Sequence, residues 1–233
     1  MAMDAMTSER MAAMPIFSAL TSEQRDQLLQ RHRLALHAPE QVFVLEQDWG
    51  ESVFLICSGM AKVRTFSAEG EEVVMCVLGD GELFGEMAVL DGGTRSADVV
   101  ALTPVTLVRL SGACFSALLQ TNAGFALALA RLEAGRLRDL NQRFVSQSSD
   151  ATTRVLGTLA YLARRASAQQ DPTGPIPPLA QRELAVIAGL ARETASRTLS
   201  KLRSRGTVVE VDGCLRIADL QPLVRRGLVS QSS

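Results

Sequence analysis

Residues 84–97 read FGEMAVLDGGTRSA and combine glycines, one carboxylate and one guanidinium in a short run. Gly85 and Glu86 predict a tight corner that starts a short helical piece, and Arg95 follows nine residues after Glu86. Backbone N–H groups at a helix start and an arginine side chain both present positive charge, which suits a phosphate. An ionised Glu86 only accepts hydrogen bonds, so it suits a sugar hydroxyl instead. Spacing alone leaves open a polar surface loop in which Glu86 pairs with Arg95.

A second stretch with chemistry, residues 179–206, reads LAQRELAVIAGLARETASRTLSKLRSRG. It predicts two helices joined by a turn at Gly189, with one apolar face each. The opposite side of the second helix is polar and basic, which suits a DNA major groove, where arginine can bind guanine and glutamate can accept from cytosine. A solvated face with an ion pair between Glu193 and Arg197 is the alternative. The polar set is Arg192, Glu193, Ser196, Arg197 and Lys201, and the core set is Leu184, Val186, Ile187, Leu190, Ala195, Leu199 and Leu202.

The charge of the chain is unevenly distributed, although the net charge is only −1. Residues 1–150 contain 12 Lys+Arg and 19 Asp+Glu, a balance of −7, whereas residues 151–233 contain 12 and 6, a balance of +6. A basic C-terminal third on an acidic body indicates that one part of the chain meets a polyanion while the other has a different task.

Length and composition favour two ordinary domains in a cytosolic protein of 233 residues. No run of eighteen apolar residues is present, and Asp4, Glu9 and Arg10 lie where a signal peptide needs an apolar core. The four cysteines are widely spaced without metal-ligand spacing, so we expect reduced thiols and no metal. No Ser/His/Asp or Cys/His set indicates catalysis, and we expect no enzyme.

The elements around the first stretch must position it. From Gln41 to Leu110, short apolar runs broken by glycines predict seven or eight strands in an antiparallel double sheet or roll. Thr21 begins a helix-cap signal, so one or two short helices are expected before the roll. Residues 1–14 show no clear period and are expected to be loose.

A long helix is expected after the roll, from about Ser111 or Gly124 through Phe144. Its apolar residues recur at helical spacing, which fits either core packing against the roll or a parallel pairing of two protomers with this stripe as the seam. The length of the helix favours the pairing. The stripe comprises Phe125, Leu129, Leu132, Leu137, Leu140 and Phe144.

The remaining segments predict a small C-terminal domain. Residues 147–149 are a short polar hinge, a helix is expected over about 150–165, and residues 167–178 form a Pro/Gly-rich surface loop. Asp212-Gly213 between two β-rich runs predicts a hairpin over 208–217. Directly after the second helix of the basic stretch, this hairpin would make a wing.

Residues 84–97 resemble the phosphate-binding cassette of cyclic-nucleotide-binding domains. The pattern is an apolar residue, Gly-Glu, a variable residue, a small residue, an aliphatic residue, a short spacer, Arg, Ser/Thr/Ala and Ala. This chain matches it at Phe84, Gly85, Glu86, Ala88, Val89, Arg95, Ser96 and Ala97. The resemblance implies that Arg95 holds the cyclic phosphate, Glu86 takes the ribose 2′-hydroxyl and Ser96 assists. The expected ligand-binding set is Gly85, Glu86, Met87, Ala88, Arg95, Ser96 and Asn141.

In that family the long helix also reads the base, often with Thr followed by Ser or Asn. Aligned on RLRDLN, this chain has Leu140 and Asn141 there, so the threonine is missing. The amide of Asn141 can donate to or accept from a purine edge. These residues leave open which base is bound. The resemblance makes cyclic AMP the first expectation, and cyclic GMP, a cyclic dinucleotide or activity without a ligand stay open.

Arg192-Glu193-Thr194 and Arg197 resemble the recognition helix of the CRP/FNR regulators, and both motifs occur in that family's order and separation. The resemblance implies that a homodimer reads TGTGA-like half-sites of double-stranded DNA. Relatives commonly begin the two helices with Thr or Ser, whereas this chain has Ala180 and Ala191. A missing cap costs roughly 1 kcal/mol.

These observations predict an α+β protein with an N-terminal antiparallel β-roll, a long dimerisation helix and a C-terminal winged helix-turn-helix. The expected boundaries are 1–123, 124–147 and 148–233. The expected function is a cytoplasmic transcription regulator that a cyclic nucleotide controls. RNA polymerase is a further candidate partner, because the equivalent of the 167–178 loop contacts it in relatives, and no membrane contact is expected.

Overall fold

The computed structural model describes residues 6–30, 32–167 and 169–230. They form two compact units. The first contains the chain up to residue 63 together with residues 78–139, and the second contains residues 64–77 together with the chain from residue 140 onwards.

Helices and strands follow the order that the sequence predicts. The helices are α1 (Ser8–Ala12), a 3-10 turn (Pro15–Phe17), α2 (Ser22–Leu29), α3 (Glu86–Asp91), α4 (Gly112–Thr121), α5 (Ala123–Ser146), α6 (Ala151–Ala166), α7 (Gln181–Ile187), α8 (Arg192–Ser204) and α9 (Gln221–Val224). The strands are β1 (Arg33–His37), β2 (Val42–Val44), β3 (Ser52–Ser58), β4 (Ala61–Phe66), β5 (Glu72–Leu78), β6 (Leu83–Phe84), β7 (Asp98–Ala101), β8 (Val105–Ser111), β9 (Val208–Val211) and β10 (Cys214–Ile217).

The first eight strands form two four-stranded sheets, in the orders β1-β8-β3-β6 and β2-β7-β4-β5. Strand β3 pairs antiparallel with β8, and the register places Val53 opposite Leu110 and Leu55 opposite Val108. All four of these side chains are buried, so the pairing of β3 with β8 supplies one wall of the core. The predicted antiparallel roll is confirmed, with β1 as an additional strand before the expected start at Gln41.

The core of the first unit contains side chains of the roll and of the helices that precede and follow the roll in the sequence. Phe17, Phe115 and Phe125 are fully buried, and the Phe125 ring centroid lies 5.1 Å from that of Phe115 and 5.9 Å from that of Phe17. Leu129 belongs to the same cluster. The N-terminal half of α5 is therefore core, because burying its apolar side chains against the roll removes them from water.

The expectation of a loose N-terminus is wrong for residues 8–12, while residues 1–5 lie outside the described part of the chain. Thr7 caps α1 by accepting from the backbone N–H of Arg10, and Met11 is fully buried. The Arg10 guanidinium also donates to the Cys57 carbonyl at 2.8 Å. A helix of five residues is too short for a periodic pattern, but tertiary contacts stabilise it.

The second unit has a core of its own beneath the helix-turn-helix. Helix α6 begins at its cap Asp150 and buries one apolar side, which contains Val155, Leu156, Leu159 and Leu162. Arg154 of this helix donates to the carbonyls of Ala188 and Gly189 in the turn between α7 and α8. Gly189 has a φ of +61°, a conformation that glycine adopts without strain. Arg154 therefore fixes the turn that sets the angle between the two helices.

Strand β5 is the last strand of its sheet, and side chains of the second unit bind its backbone. Arg143 donates to the carbonyls of Val74 at 2.9 Å and Met75 at 2.7 Å. The Tyr161 hydroxyl accepts from the Val77 N–H at 2.8 Å and donates to the Val77 carbonyl at 3.3 Å. Burial raises the pKa of Tyr161, so the hydroxyl keeps its proton and can donate.

Candidate functional site

The Gly85–Glu86 corner has the geometry that the sequence predicts. Gly85 precedes α3 with a φ of +82°, and Gly92 ends it with a φ of +71°, so glycine stands at both positions where the backbone is left-handed. The corner follows β6 directly. Because α3 has only six residues, its dipole is small, and the charges of nearby side chains dominate the electrostatics of the site.

Arg95 lies inside the site and is only 7% exposed. Its two terminal nitrogens donate to the backbone carbonyls of Gly85 and Ser52, both at 2.8 Å. The guanidinium also lies over the Phe54 ring, 5.5 Å from its centroid. Of the five N–H donors of an arginine, the other three have no hydrogen-bond partner in the described part of the chain. Within the same ranges, no carboxylate forms an ion pair with Arg95.

Glycines allow the guanidinium to lie this close to the backbone. A Cβ at Gly50 would come within 2.2 Å of the Arg95 guanidinium carbon, and one at Gly85 within 2.4 Å of an Arg95 terminal nitrogen. Neither position can carry a side chain while Arg95 keeps its place. The sequence analysis identified Gly85 but not Gly50.

Burial lowers the pKa of Arg95, the carboxylates of Glu86 and Asp48 oppose this effect, and the nearby Arg109 adds to it. Arginine remains charged in proteins under all ordinary conditions. A buried cation without a carboxylate partner is costly unless an anion or several hydrogen bonds compensate it. The two carbonyl acceptors satisfy only part of the hydrogen-bonding capacity of Arg95.

Glu86 is buried too, at 3% exposure, and its partner is not Arg95. One carboxylate oxygen lies 3.1 Å from a terminal nitrogen of Arg136 on α5. The other, Oε2, is buried without a hydrogen-bond partner among the described residues. The surface loop with a Glu86–Arg95 pair is thus wrong. A hydroxyl that donates to Oε2 would satisfy this acceptor.

Sequence reasoning missed Arg136 and its neighbour Glu133, which lies 2.8 Å from the same terminal nitrogen of Arg136. The two are three residues apart on α5, so they share one face of the helix. That face also carries Leu129 and Leu132, which pack on the roll. The sequence does contain a signal for these two residues: a pair of opposite charges on the helix face that packs on a predicted core.

The remaining predicted ligand residues occupy different environments. Ala88 is buried, whereas Met87 and Ser96 are exposed. The Ser96 hydroxyl donates to the Met87 sulfur at 3.7 Å. Asn141 is exposed on the C-terminal part of α5 and belongs to the second unit.

The helix-turn-helix of the second unit presents the predicted polar face. Arg192, Glu193, Arg197 and Lys201 of α8 are exposed, and Ser196 is half-buried. The opposite side of α8 is buried and contains Ala195, Thr198, Leu199 and Leu202. In the described structure Glu193 forms no ion pair with Arg197, which contradicts the alternative of a paired, solvated face. The basic side chains are free to meet phosphates and base edges.

The starts of both helices lack side-chain caps, as the sequence predicts. Ala180 precedes α7 and Ala191 precedes α8, and neither provides a capping hydrogen bond. Behind α8, β9 and β10 form a hairpin whose tip, Asp212-Gly213, has φ values of +52° and +76°. These positive values are those of the predicted type I′ turn. The wing of the predicted winged helix is therefore present.

Two family models match the chain, one on each stretch. Residues 36–122 match the cyclic nucleotide-binding domain, and residues 153–226 match the Crp-like helix-turn-helix domain. The cyclic AMP receptor protein of Thermus thermophilus is 35% identical over 201 residues, which cover 85% of this chain and 89% of that protein. The CRP-like cAMP-activated global transcriptional regulator of Mycobacterium tuberculosis is 27% identical, covering 78% of this chain and 82% of that protein.

Solved structures share the architecture. FixK2 from Bradyrhizobium japonicum superposes with a TM-score of 0.72 at 19% identity, covering 87% of this chain and 99% of that one. The c-di-GMP responsive global regulator CLP of Xanthomonas campestris gives 0.67 at 22% identity, covering 85% and 100%. At these identities the likeness shows the fold alone.

A cyclic-nucleotide-binding roll followed by a helix-turn-helix defines a DNA-binding transcription regulator. With 35% identity to the Thermus thermophilus protein over 201 aligned residues, which cover most of both chains, this chain belongs to the CRP/FNR family of such regulators. The Mycobacterium tuberculosis relative is named as a transcriptional regulator.

Side-chain chemistry can also indicate two other kinds of site, a metal site and a membrane span. In the described ranges no group of three or more His, Cys, Asp or Glu side chains could hold a metal ion. No single helix there is long and apolar enough to cross a membrane, and only the pair α4 and α5, bent by 110°, meets the length and composition criteria together. His37 lies within β1, and its ring packs against Phe43.

Proposed function

We propose that this regulator is a homodimer that binds palindromic TGTGA-like sites under the control of cyclic AMP. One observation carries the ligand part of the proposal: Arg95 is buried, has three N–H donors without a partner and forms no ion pair within the described ranges. An anion with several oxygens, such as a cyclic phosphate, fits these donors.

A hydroxyl next to the anionic group would complete the ligand. Glu86 Oε2 is a buried acceptor without a partner among the described residues, and Glu86 interacts electrostatically with Arg95. A ribose 2′-hydroxyl beside a cyclic phosphate combines a donor with an anion. The proposed ligand contacts are made by Gly85, Glu86, Met87, Ala88, Arg95, Ser96 and Asn141.

Cyclic AMP is the first candidate because the Thermus and Mycobacterium relatives are named for it. Leu140 stands where the family often has Thr, and Asn141 fits the Ser or Asn that follows, so selectivity between bases rests on a single amide. The alternative is a regulator that answers to cyclic GMP or a cyclic dinucleotide, or that needs no ligand.

The proposed dimer pairs the C-terminal half of α5 with its copy. Leu137 is 60% exposed and Phe144 is 72% exposed, seven residues apart on the same helix, with Leu140 between them. Apolar side chains at this spacing form a coiled-coil seam. A second copy would remove them from water and place two α8 helices so that each meets one half-site.

We propose three functional parts of the chain: a ligand-binding part up to residue 123, a dimerisation helix over 124–147 and a DNA-binding part from residue 148. In the last part, Arg192, Glu193, Ser196, Arg197 and Lys201 make the proposed DNA contacts. The loop at 167–178, of which Ala168 lies outside the described residues, is the proposed contact with RNA polymerase. The ligand acts by favouring one arrangement of the dimer, and only to the extent of its differential affinity.

Fluorescence anisotropy with a labelled TGTGA palindrome tests the proposal. Cyclic AMP, cyclic GMP, cyclic di-GMP and no nucleotide are compared at fixed salt. We expect cyclic AMP to tighten DNA binding most, and a palindrome with both half-sites scrambled is the control. Equal binding in all four conditions would overturn the ligand control and leave the DNA role standing.

Sedimentation velocity tests the dimer. Phe144→Glu places a charge on the exposed seam and is expected to give monomers, whereas Arg131→Glu, also exposed on α5 but off the stripe, is expected to leave a dimer. A wild-type chain that sediments as a monomer at micromolar concentration would contradict the seam.

A further inference from the structure

Three charged side chains form a cluster at the edge of the proposed nucleotide site. Glu86 comes from α3, and Glu133 and Arg136 come from α5. One terminal nitrogen of Arg136 contacts both carboxylates, at 3.1 Å for Glu86 and 2.8 Å for Glu133. The side chains of Glu86 and Arg136 are 4% and 16% exposed, and that of Glu133 is 33% exposed.

Arg136 is held in place on a third side. Its other terminal nitrogen donates to the Leu83 carbonyl in β6. The guanidinium is therefore anchored to the roll and cannot follow either carboxylate away from the site. Two carboxylates thus share one fixed cation, and Glu133 contributes to the position of Arg136 against Glu86.

The described residues place further charged groups around the cluster. Glu133 faces Arg136 on its own helix and Glu86 on α3. Beyond Glu86 lies Arg95, with Arg109 and Asp48 beside it. Burial raises the pKa of Glu133 to about 7, and Arg136 lowers it while the Glu86 carboxylate raises it.

We infer that Glu133 is a positioning residue for the nucleotide site and that Glu133 takes up a proton when a cyclic nucleotide binds. This inference rests on the proposed function, because it needs an anionic ligand with a hydroxyl. The ligand's phosphate adds negative charge beside Glu86 and Glu133, which favours the protonated form of Glu133. The proposed hydroxyl would donate to Oε2 of Glu86.

The sign of the pH effect follows from linkage. Ligand binding raises the pKa of Glu133 above its value in the free protein, so the bound state holds more protons. Affinity is then constant below about pH 6 and falls as pH rises through 7. If the anion raises the pKa by about one unit, affinity falls about fivefold between pH 6 and pH 8, and about 0.4 proton is taken up per site at pH 7.

Isothermal titration calorimetry with cyclic AMP measures this uptake directly. The wild-type protein is titrated at pH 7 in PIPES and in imidazole, whose ionisation enthalpies differ, and the affinity is measured at pH 6, 7 and 8. The buffer-dependent part of the heat gives the number of protons. This measurement needs no variant, so it does not depend on how a substitution affects folding.

Glu133→Gln separates positioning from titration. Glutamine keeps an oxygen that can accept from Arg136 but does not titrate. The affinity of this variant for cyclic AMP should therefore be independent of pH, and its binding heat should not depend on the buffer. At pH 8 the variant should bind cyclic AMP several-fold more tightly than the wild type. Glu133→Leu removes the acceptor too and should bind more weakly than Glu133→Gln at every pH. Asp26→Asn changes the same charge at an exposed site on α2 and should behave as wild type.

The outcomes separate the inference from the function on which it rests. Wild-type binding with no proton uptake and a flat pH profile overturns the inference alone. Uptake that persists in Glu133→Gln also overturns it. If neither cyclic AMP nor cyclic GMP binds at any of the three pH values, the proposed cyclic-mononucleotide control fails, and the inference fails with it.

Discussion

The two charged regions of this regulator handle their charges in opposite ways. In the roll, Arg95 and Glu86 are buried and held by backbone carbonyls and by Arg136. On α8, Arg192 and Arg197 project into solvent without ion-pair partners in the described structure. The first region is arranged for a ligand of fixed shape, and the second for a long, uniformly charged partner.

This difference has energetic consequences. A buried, prearranged cation interacts strongly at low dielectric, so small displacements have large effects. Exposed cations interact through solvent and are screened by salt, so their contribution is distributed over several residues. Substitutions in the two regions should therefore differ in size and in salt dependence.

The largest expected effect is the loss of Arg95. Arg95→Ala removes the guanidinium that is proposed to hold the phosphate and should weaken cyclic AMP binding by about 100-fold or more, because charge-assisted hydrogen bonds are the strong ones. Calorimetry measures the affinity. Arg131→Ala, an exposed arginine of the same unit, is the control and should bind normally. An Arg95→Ala protein with wild-type affinity would place the ligand elsewhere.

Arg197→Ala should weaken binding to the cognate palindrome by roughly 30-fold, within the 1–3 kcal/mol expected for a contact to a base. We also expect the salt dependence of DNA binding to reveal the role of Arg197. If Arg197 reads a base, specificity should relax; if it binds phosphate, the slope of log affinity against log salt should fall by about one. Arg225→Ala, exposed beyond α9, is the matched control. Unchanged affinity and slope would remove α8 from the interface.

Gly50→Ala tests how finely the buried region is arranged. The new Cβ would lie 2.2 Å from the Arg95 guanidinium, so the side chain must move. We expect about a tenfold loss of cyclic AMP affinity, because a displaced guanidinium loses the geometry of its hydrogen bonds. Gly157→Ala on α6 meets only an ordinary contact at 3.5 Å and should leave binding unchanged. Equal affinities of both variants would show that the site tolerates displacement.

The smallest effect concerns the uncapped start of α8. Ala191→Ser offers a hydroxyl to the free N–H groups of the first turn and should stabilise the second unit by about 1 kcal/mol. Thermal unfolding followed by circular dichroism measures it. Ala191→Val provides no acceptor and should not stabilise. A serine variant with unchanged stability would indicate that the N–H groups are already satisfied by water.

Much of this architecture could be predicted from local patterns. The cassette and the helix-turn-helix are contiguous, so glycine positions, apolar spacing and the Asp212-Gly213 turn carry their structure in the sequence. The features that these patterns did not predict are short elements and contacts between residues distant in the sequence. Helix α1 has too few residues for a period, and β1 has only Leu34, Ala35 and Leu36 between a basic residue and a histidine.

The site itself could be predicted only in part. Arg95 and Glu86 follow from the cassette, but the contact of Glu86 with Arg136 joins residues fifty positions apart. A glycine is required at position 50 because the Arg95 side chain lies so close to it. The sequence around Gly50 does not indicate this requirement. Such contacts arise when the tertiary fold places distant segments together, and local spacing does not encode them.

The capture of β5 by Arg143 and Tyr161 has a consequence for solubility. An outermost strand normally offers unsatisfied carbonyl and amide groups to any extended segment of another molecule, and uncontrolled strand addition leads to aggregates. Here the carbonyls of Val74, Met75 and Val77 already accept hydrogen bonds from side chains of the chain itself. Arg143 and Tyr161 therefore leave fewer free backbone groups on this strand for another molecule to pair with, which disfavours intermolecular β-sheet growth.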